Sequence, residues 1–383
     1  MATIFPVNRF KEEQTPFYYY DIELLEATLN EIKACTEGYP YKVHYAVKAN
    51  ANDRILRTIQ ASGLGVDCVS GGEVAASVNA GFDSKHIVFA GVGKTDREIN
   101  LALDADILCF NVESIPELEA INAIAESKGK VADVAFRVNP NVDAHTHKYI
   151  TTGLSENKFG INMEQLPEVL GIASAMKNIN VVGLHFHIGS QITELEPFEK
   201  LCTKVNELQC EVEKLGVKLK IINVGGGLGI DYVNPDENPI TSFKEYFDIF
   251  KNNLQLREGQ EVHFELGRAV VAQCGSLITS VTYVKKGTVK QFVITDAGMT
   301  DLIRPALYQA HHKIENITST TTETATYDVV GPICESSDCF GENEVLPVTK
   351  RGDLLALRSA GAYGEIMASR YNLRNLPNAV YSK

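Results

Sequence analysis

The stretch Val43-His44-Tyr45-Ala46-Val47-Lys48-Ala49, closed by Asn50, is a short apolar run with a lysine at its mouth. Its rhythm recurs along the first two thirds of the chain: a β-branched apolar run, a Gly or polar break, then a helical stretch. The candidate strands are Val43–Ala49, Gly65–Ser70, His86–Gly91, Ile107–Val112, Val131–Asn139, Val181–Gly189, Lys220–Gly226 and Glu261–Gly267. The first four recur about every 21 residues, which suits a βα unit with short loops. Eight such units within about 240 residues predict a (β/α)8 barrel of the TIM type, with a doubly wound open sheet as the alternative.

After Arg268 the pattern changes. Leu277–Val284, Gln291–Thr295, Tyr327–Val330 and Asp353–Leu357 are strand-like, and few long helical patterns separate them. Thr318–Thr326 reads as a loop or an edge strand. The expected fold class is therefore α/β plus β. A barrel spans residues 29–266, and residues 1–28 with 267–383 form a mainly antiparallel β domain.

The composition narrows the function. The 383 residues are 44% hydrophobic and 22% charged, ordinary for a globular protein with a sizeable core. The net charge of −13, from 36 basic and 49 acidic residues, argues against a nucleic-acid or anionic-membrane surface. It leaves room for a local basic pocket that holds a small anion. The beginning of the chain lacks the apolar core of a secretory signal, and no run approaches a membrane span. The eight cysteines are scattered without a CxxC pair, as in reduced thiols of a cytoplasmic protein.

Polar residues gather at the C-terminal ends of the predicted strands, where a barrel carries its active site. A partly desolvated lysine such as Lys48 can lose its proton and attack a carbonyl, as a Schiff-base lysine must; most strand-end lysines are simply solvated. Gly225-Gly226-Gly227-Leu228-Gly229 leaves backbone N–H groups open to a phosphate, or else makes a tight turn. His185 and His187 share a face by strand alternation. They read as core histidines, as a flat partner for a flat cofactor, or as metal ligands, although nothing nearby completes a metal site. Ser190 adds a candidate phosphate contact. Glu265, in Glu265-Leu266-Gly267-Arg268, suits the nitrogen of a pyridine ring or a local ion pair with Arg268. Cys334 lies in a polar, turn-rich stretch where a thiol can act as an acid, and Tyr363 sits in a glycine-flanked loop. A lysine, a stacking histidine, a glycine loop and a carboxylate together are what pyridoxal 5′-phosphate requires on a barrel.

The motifs YAVKAN, VDCVSGGE, HTHKYITTGLSENKFGI, HFHIGSQ, NVGGGLG, DAGMTDLIRPALY, VVGPICESSDCF and GAYG run nearly end to end. In that order they resemble the diaminopimelate decarboxylase family, within the alanine-racemase-like (fold type III) pyridoxal-phosphate enzymes. The His145–Ile161 block and RPALY are the more specific ones. The resemblance implies that Lys48 carries the cofactor and that His187 stacks on its ring. It places Ser190, Gly226, Gly227, Glu265, Gly267 and Arg268 on the cofactor, with Asp67, Arg137 and Tyr363 around it. Arg268, Arg304, Tyr308, Glu335 and Tyr363 are implied substrate contacts, and Cys334 the proton donor. Cys334 and Glu335 would reach the site from a second subunit, so a homodimer with shared active sites is implied. Lys158 and Asp338 would sit where relatives form an ion pair across that interface. One departure is visible: Leu266 replaces the family's usual proline, restoring an N–H and freeing φ, which is expected to tune the loop and not to abolish the site.

The implied reaction converts meso-2,6-diaminopimelate to L-lysine and CO2, the last step of lysine biosynthesis. Charge supports that substrate, because an arginine fork such as Arg268 or Arg304 suits a distal carboxylate and Glu335 a distal ammonium. Alternatives are carboxynorspermidine or another basic amino acid as substrate, an alanine-racemase-type isomerase, and a non-catalytic cofactor-binding relative.

Overall fold

The computed structural model describes residues 5–142 and 158–383. Residues 145–157 of the His145–Ile161 motif lie outside them. The chain forms two compact units, one of Leu29–Gly229 with Ser242–Gly267, the other of Met1–Thr28, Ile230–Thr241 and Arg268–Lys383.

Eight parallel strands of the first unit form a ring, β1 Tyr41–Ala46, β2 Gly65–Cys68, β3 Ile87–Phe89, β4 Cys109–Val112, β5 Ala132–Asn139, β6 Ile179–His185, β7 Ile221–Asn223 and β8 Glu261–Leu266, and the two-residue strand Ile161–Asn162 pairs parallel with the end of β5. Each pairs with the next, and β8 pairs with β1 (Glu265 opposite His44), so the sheet closes into a barrel. Helices separate the strands, and four of them start where a short polar side chain accepts an orphan N–H. Asn52, Ser70 and Ser114 do this, and Thr95 forms a reciprocal capping box with Glu98.

Strand alternation decides which side chains reach the barrel interior. Phe264 of β8 packs outward against Phe247 and Phe250 of the helix Phe243–Asn253, with ring centroids 4.9 and 5.1 Å apart. Its neighbour Glu265 therefore points inward, where it meets Asn111 from the non-adjacent strand β4. All eight expected strands are present, but several end early. The chain leaves the ladder after Ala46, and the 3₁₀ turn Val47–Ala49 carries Lys48. β6 stops at His185 and β7 at Asn223, two residues before Gly225 turns the backbone to φ +70°.

The second unit is built around the long strand Gly275–Lys286. It pairs antiparallel with Phe17–Tyr20, with Leu354–Leu357 and, across an irregularity at Val281–Tyr283, with Gln291–Thr295. Thr324–Val330 runs parallel to Gln291–Thr295 and antiparallel to Cys339–Pro347. Phe10, Phe17, Tyr19, Ile278, Leu354 and Val380 fill its core. Of the Thr-rich stretch Thr318–Thr326, only the last three residues join a strand. Phe17–Tyr20, Ile314–Asn316, Cys339–Pro347 and Asn378–Tyr381 are strands beyond those expected. Among the described residues no helix is long and apolar enough to cross a membrane.

Candidate active site

The barrel unit gathers Lys48, Asp67, His185, His187 and Glu265. Lys48 Nζ lies 3.5 Å from Oδ2 of the fully buried Asp67. Burial, and next the negative charge of Glu265, raise the Asp67 carboxyl well above its ordinary range, while Lys48 works against them.

Glu265 meets three buried side-chain donors. Its Oε1 accepts from Asn111 Nδ2 at 3.0 Å and Asn223 Nδ2 at 2.7 Å, and its Oε2 lies 3.0 Å from His185 Nε2. A carboxylate oxygen only accepts, so the His185 proton belongs on Nε2. Burial opposes the charge on Glu265, yet His185 first, then Lys48 and His187, hold its carboxyl below the usual carboxylate range. A carboxylate offers about four acceptor positions, and these donors use three.

His187 stands two residues beyond the end of β6, and its Nδ1 accepts from the Gly226 N–H at 3.3 Å. Burial, then the charges of Arg137 and Lys48, lower its pKa well below that of a free imidazole, so the ring is neutral at pH 7. In the glycine run, Gly225 and Gly227 take left-handed φ of +70° and +112°, and a Cβ on Gly226 would collide with the Glu265 carbonyl oxygen. Ser190 is half-buried in the loop after β6, and Gly267 is buried at the bend that ends β8. Leu266 is buried within β8 opposite Tyr45. Arg137 is held 2.9 Å from Glu113, with its guanidinium 4.6 Å from the Phe159 ring centre.

The second unit holds a separate, cationic constellation. Arg268 Nη1 donates to the Tyr232 hydroxyl at 2.6 Å, and its guanidinium lies 5.0 Å from the ring centre of Tyr363. Arg304 lies 5.0 Å from the ring centre of the same Tyr232 and donates from Nη1 to His312 Nε2 at 2.8 Å. Arg304 is only 6% exposed, yet among the described residues no carboxylate lies within ion-pair distance of it. Burial and the charge of Arg268 both lower its pKa. Tyr363 holds a left-handed φ of +57°, an uncommon conformation for a non-glycine residue. Tyr308 is half-buried at the end of the short helix Arg304–Tyr308.

Cys334 and Glu335 are exposed, and their hydrogen bonds go elsewhere. The Cys334 N–H donates to Asn372, and Glu335 accepts from the Tyr371 hydroxyl at 2.8 Å. Asp338 is turned inward, accepting 2.6 Å bonds from the N–H groups of Met299 and Ile333, whereas Lys158 is exposed.

Asn111, Glu113, Asn223, Tyr232 and His312 were not anticipated from sequence. Asn111 was findable as the lone amide in the apolar run Cys109–Val112, and Asn223 by alternation back from Gly225. Nothing in the sequence marked His312.

The barrel residues fit pyridoxal 5′-phosphate on two observations. Glu265 retains an acceptor position for a ring N–H, and the glycine run permits a close approach that any Cβ would block. Residues 23–272 match the family described as pyridoxal-dependent decarboxylase, pyridoxal binding domain, which defines the class as a cofactor-dependent decarboxylase. The chain is 61% identical, over all of its length and 99% of the relative's, to diaminopimelate decarboxylase of Bacteroides thetaiotaomicron. It is 43% identical to that of Haemophilus influenzae over 96% of this chain and 88% of the other. The crystal structure of the Helicobacter pylori diaminopimelate decarboxylase complexed with L-lysine superposes with a TM-score of 0.93 at 41% identity, covering 98% of this chain and 94% of that one. The chain belongs to the diaminopimelate decarboxylase family. Its cofactor is pyridoxal 5′-phosphate.

Proposed function

We infer that the chain decarboxylates meso-2,6-diaminopimelate to L-lysine and CO2, the last step of lysine biosynthesis. The observation that carries the substrate is Arg304: a buried guanidinium beside a second one, with a neutral imidazole and an aromatic face as its neighbours. Burying a cation without a counter-charge is costly, and an anionic ligand removes the cost. meso-Diaminopimelate brings a distal carboxylate; ornithine and arginine have none to bring.

The bound cofactor supplies an electron sink for the pair released as the Cα–carboxylate bond breaks. Lys48 is the amine that carries it. Glu265 would hold a negative charge for the ring nitrogen, and neutral His187 would offer the ring a flat partner that does not repel its proton. Gly227 and Ser190 would offer donors to the phosphate and Gly226 would let it approach closely, while Asp67, Arg137 and Gly267 would shape the surroundings. Arg304 receives the distal carboxylate, with Arg268, Tyr308 and Tyr363 beside it. Glu335 takes the distal ammonium, and the Cys334 thiol delivers a proton to the carbon that has lost its carboxylate.

The exposure of Cys334 and Glu335 supports a homodimer in which both residues serve the partner's site. Eight unpaired thiols support a cytoplasmic location. The test is CO2 release by purified, cofactor-loaded protein from meso-diaminopimelate, beside ornithine, arginine, L-lysine and carboxynorspermidine. Turnover of meso-diaminopimelate alone is expected. Turnover of ornithine or carboxynorspermidine instead would sink the roles given to Arg304 and Glu335.

A further inference from the structure

His312 has no part in the chemistry of decarboxylation, yet it is completely buried against Arg304, the residue that selects the substrate. Its Nδ1 lies 2.9 Å from the carbonyl oxygen of Arg358, and its Nε2 lies 2.8 Å from Arg304 Nη1. A carbonyl oxygen only accepts, so Nδ1 carries the ring proton. A guanidinium only donates, so Nε2 must be the bare acceptor. Both neighbours therefore require the same neutral tautomer. Burial, and next the charge of Arg304, lower the His312 pKa to about 3, which preserves that tautomer across the neutral range.

The ring is also fixed in orientation. It meets Tyr232 edge-on, with centroids 5.2 Å apart at 81°. Tyr232 presents its face to Arg304 and its hydroxyl to Arg268. Arginine is long and loses much rotamer freedom when a ligand orders it. A buried acceptor on Nη1 and an aromatic face 5.0 Å from Cζ impose that order before a ligand arrives. A carboxylate in the place of His312 would neutralise Arg304 and remove its appetite for an anion. A neutral acceptor holds the guanidinium in place and leaves its charge intact.

We propose that His312 is a positioning residue that pre-orients Arg304, by a hydrogen bond through its bare Nε2, for the distal carboxylate of the substrate. This rests on the reading that Arg304 binds that carboxylate. The residue thus sets preference for substrates that carry the group, and it contacts neither substrate nor cofactor.

The test uses cofactor-loaded enzyme and three variants. His312→Phe fills the space without an acceptor, His312→Gln restores an acceptor through Oε1, and Arg304→Gln removes the charge. The readouts are kcat and KM for meso-diaminopimelate, and Kd for L-lysine and for cadaverine, which differ only by a carboxylate. H312F is expected to raise KM and the L-lysine Kd about ten- to 150-fold, the worth of a hydrogen bond to a charged group. Its kcat should stay within about threefold of wild type and its cadaverine affinity should not move. H312Q should recover most of the loss. If R304Q weakens L-lysine binding but H312F does not, the proposal is overturned and the reading of Arg304 stands. If R304Q leaves L-lysine binding unchanged, both fall. Equal losses for L-lysine and cadaverine would reduce His312 to a packing role and overturn the proposal. Should H312F fail to fold, the wild-type 15N spectrum decides, with the His312 signals identified by their loss in H312Q. A proton on Nδ1 and a bare Nε2 are expected, and a protonated Nε2 refutes the assignment.

Discussion

Replacing Glu265 with Gln changes one atom, and the donors around that atom set the cost. The carboxylate accepts three buried donors, Asn111 and Asn223 on Oε1 and His185 on Oε2. A glutamine that keeps its carbonyl toward the two asparagines turns an amide N–H toward His185. His185 must then accept on Nε2 and carry its proton on Nδ1, which is buried and has no partner among the described residues. Leaving that N–H unpaired costs about 1–3 kcal/mol. Turning the amide around is worse, because both asparagines lose their acceptor. Removing a buried charge offsets part of this loss, so the ligand-free protein should lose about 1–2 kcal/mol. Catalysis should suffer separately. The position facing the ring nitrogen becomes a donor, forfeiting a charge-assisted hydrogen bond worth about 1.5–3 kcal/mol, or roughly 10- to 150-fold in kcat. The assays are CO2 release at saturating cofactor and urea unfolding of the ligand-free protein. A kcat within threefold of wild type, with cofactor bound, would refute the claim that these donors exist to hold a charge on Glu265.

Lys48→Ala should abolish the absorption band of covalently held cofactor; an unchanged spectrum would remove Lys48 from its role. Cys334→Ala should slow turnover about 100-fold or more while the cofactor stays bound, as expected for a lost proton donor, and unaltered turnover would assign protonation elsewhere. His312 also predicts a pH dependence. Its folded pKa of about 3 lies below the unfolded value near 6.5, so its stabilising contribution is complete above about pH 6.5 and is lost as pH falls toward 3. Between pH 7 and pH 5, wild type should lose about 2 kcal/mol more than H312Q in urea unfolding. Parallel losses in the two proteins would contradict a buried neutral His312.

The barrel was legible because its signal is redundant. Eight apolar runs at regular spacing survive any single misreading, and the strand ends differ more than the strands themselves: Tyr41, Cys109 and Ile179 begin theirs two residues from the expected starts, and several stop early. The apolar pattern continues past Ala46 into Val47–Ala49, and past His185 into Phe186–Gly189, while the backbone has already left the ladder. The β unit was less legible because half its strands are short or polar. Cys339–Pro347 contains three residues of ionisable or amide type in Glu342, Asn343 and Glu344, and it pairs only because Thr324–Val330 offers an edge. At the site, residues with a chemical vocation of their own, such as Lys48, Glu265 and Cys334, stood out. The supporting residues did not. Asn223 and Asn111 matter through a carboxylate 42 and 154 positions away, and His312 through a tautomer demanded by two neighbours. Those are facts of three-dimensional proximity that local pattern does not encode.

Both units prepare a buried charge and stop one partner short. Glu265 has three donors and room for a fourth, and Arg304 has a neutral acceptor and an aromatic face but, among the described residues, no anion. If Arg304 is kept for a ligand, removing it should be nearly free of cost to the empty protein. Arg304→Met retains much of the volume, discards a buried cation and its repulsion with Arg268, and gives up one hydrogen bond to His312. The gain from discarding the buried cation with its repulsion, taken together, and the loss of the bond that leaves His312 Nε2 without a donor are each on the order of 1–3 kcal/mol, so the ligand-free stability should shift by less than about 2 kcal/mol. The difference should emerge only with ligand. L-Lysine at 100 times its wild-type Kd should stabilise the wild type by about 2.7 kcal/mol, and R304M hardly at all. Loss of several kcal/mol in the empty variant would instead make Arg304 a structural cation, with its missing counter-charge supplied by the fold and not by the substrate.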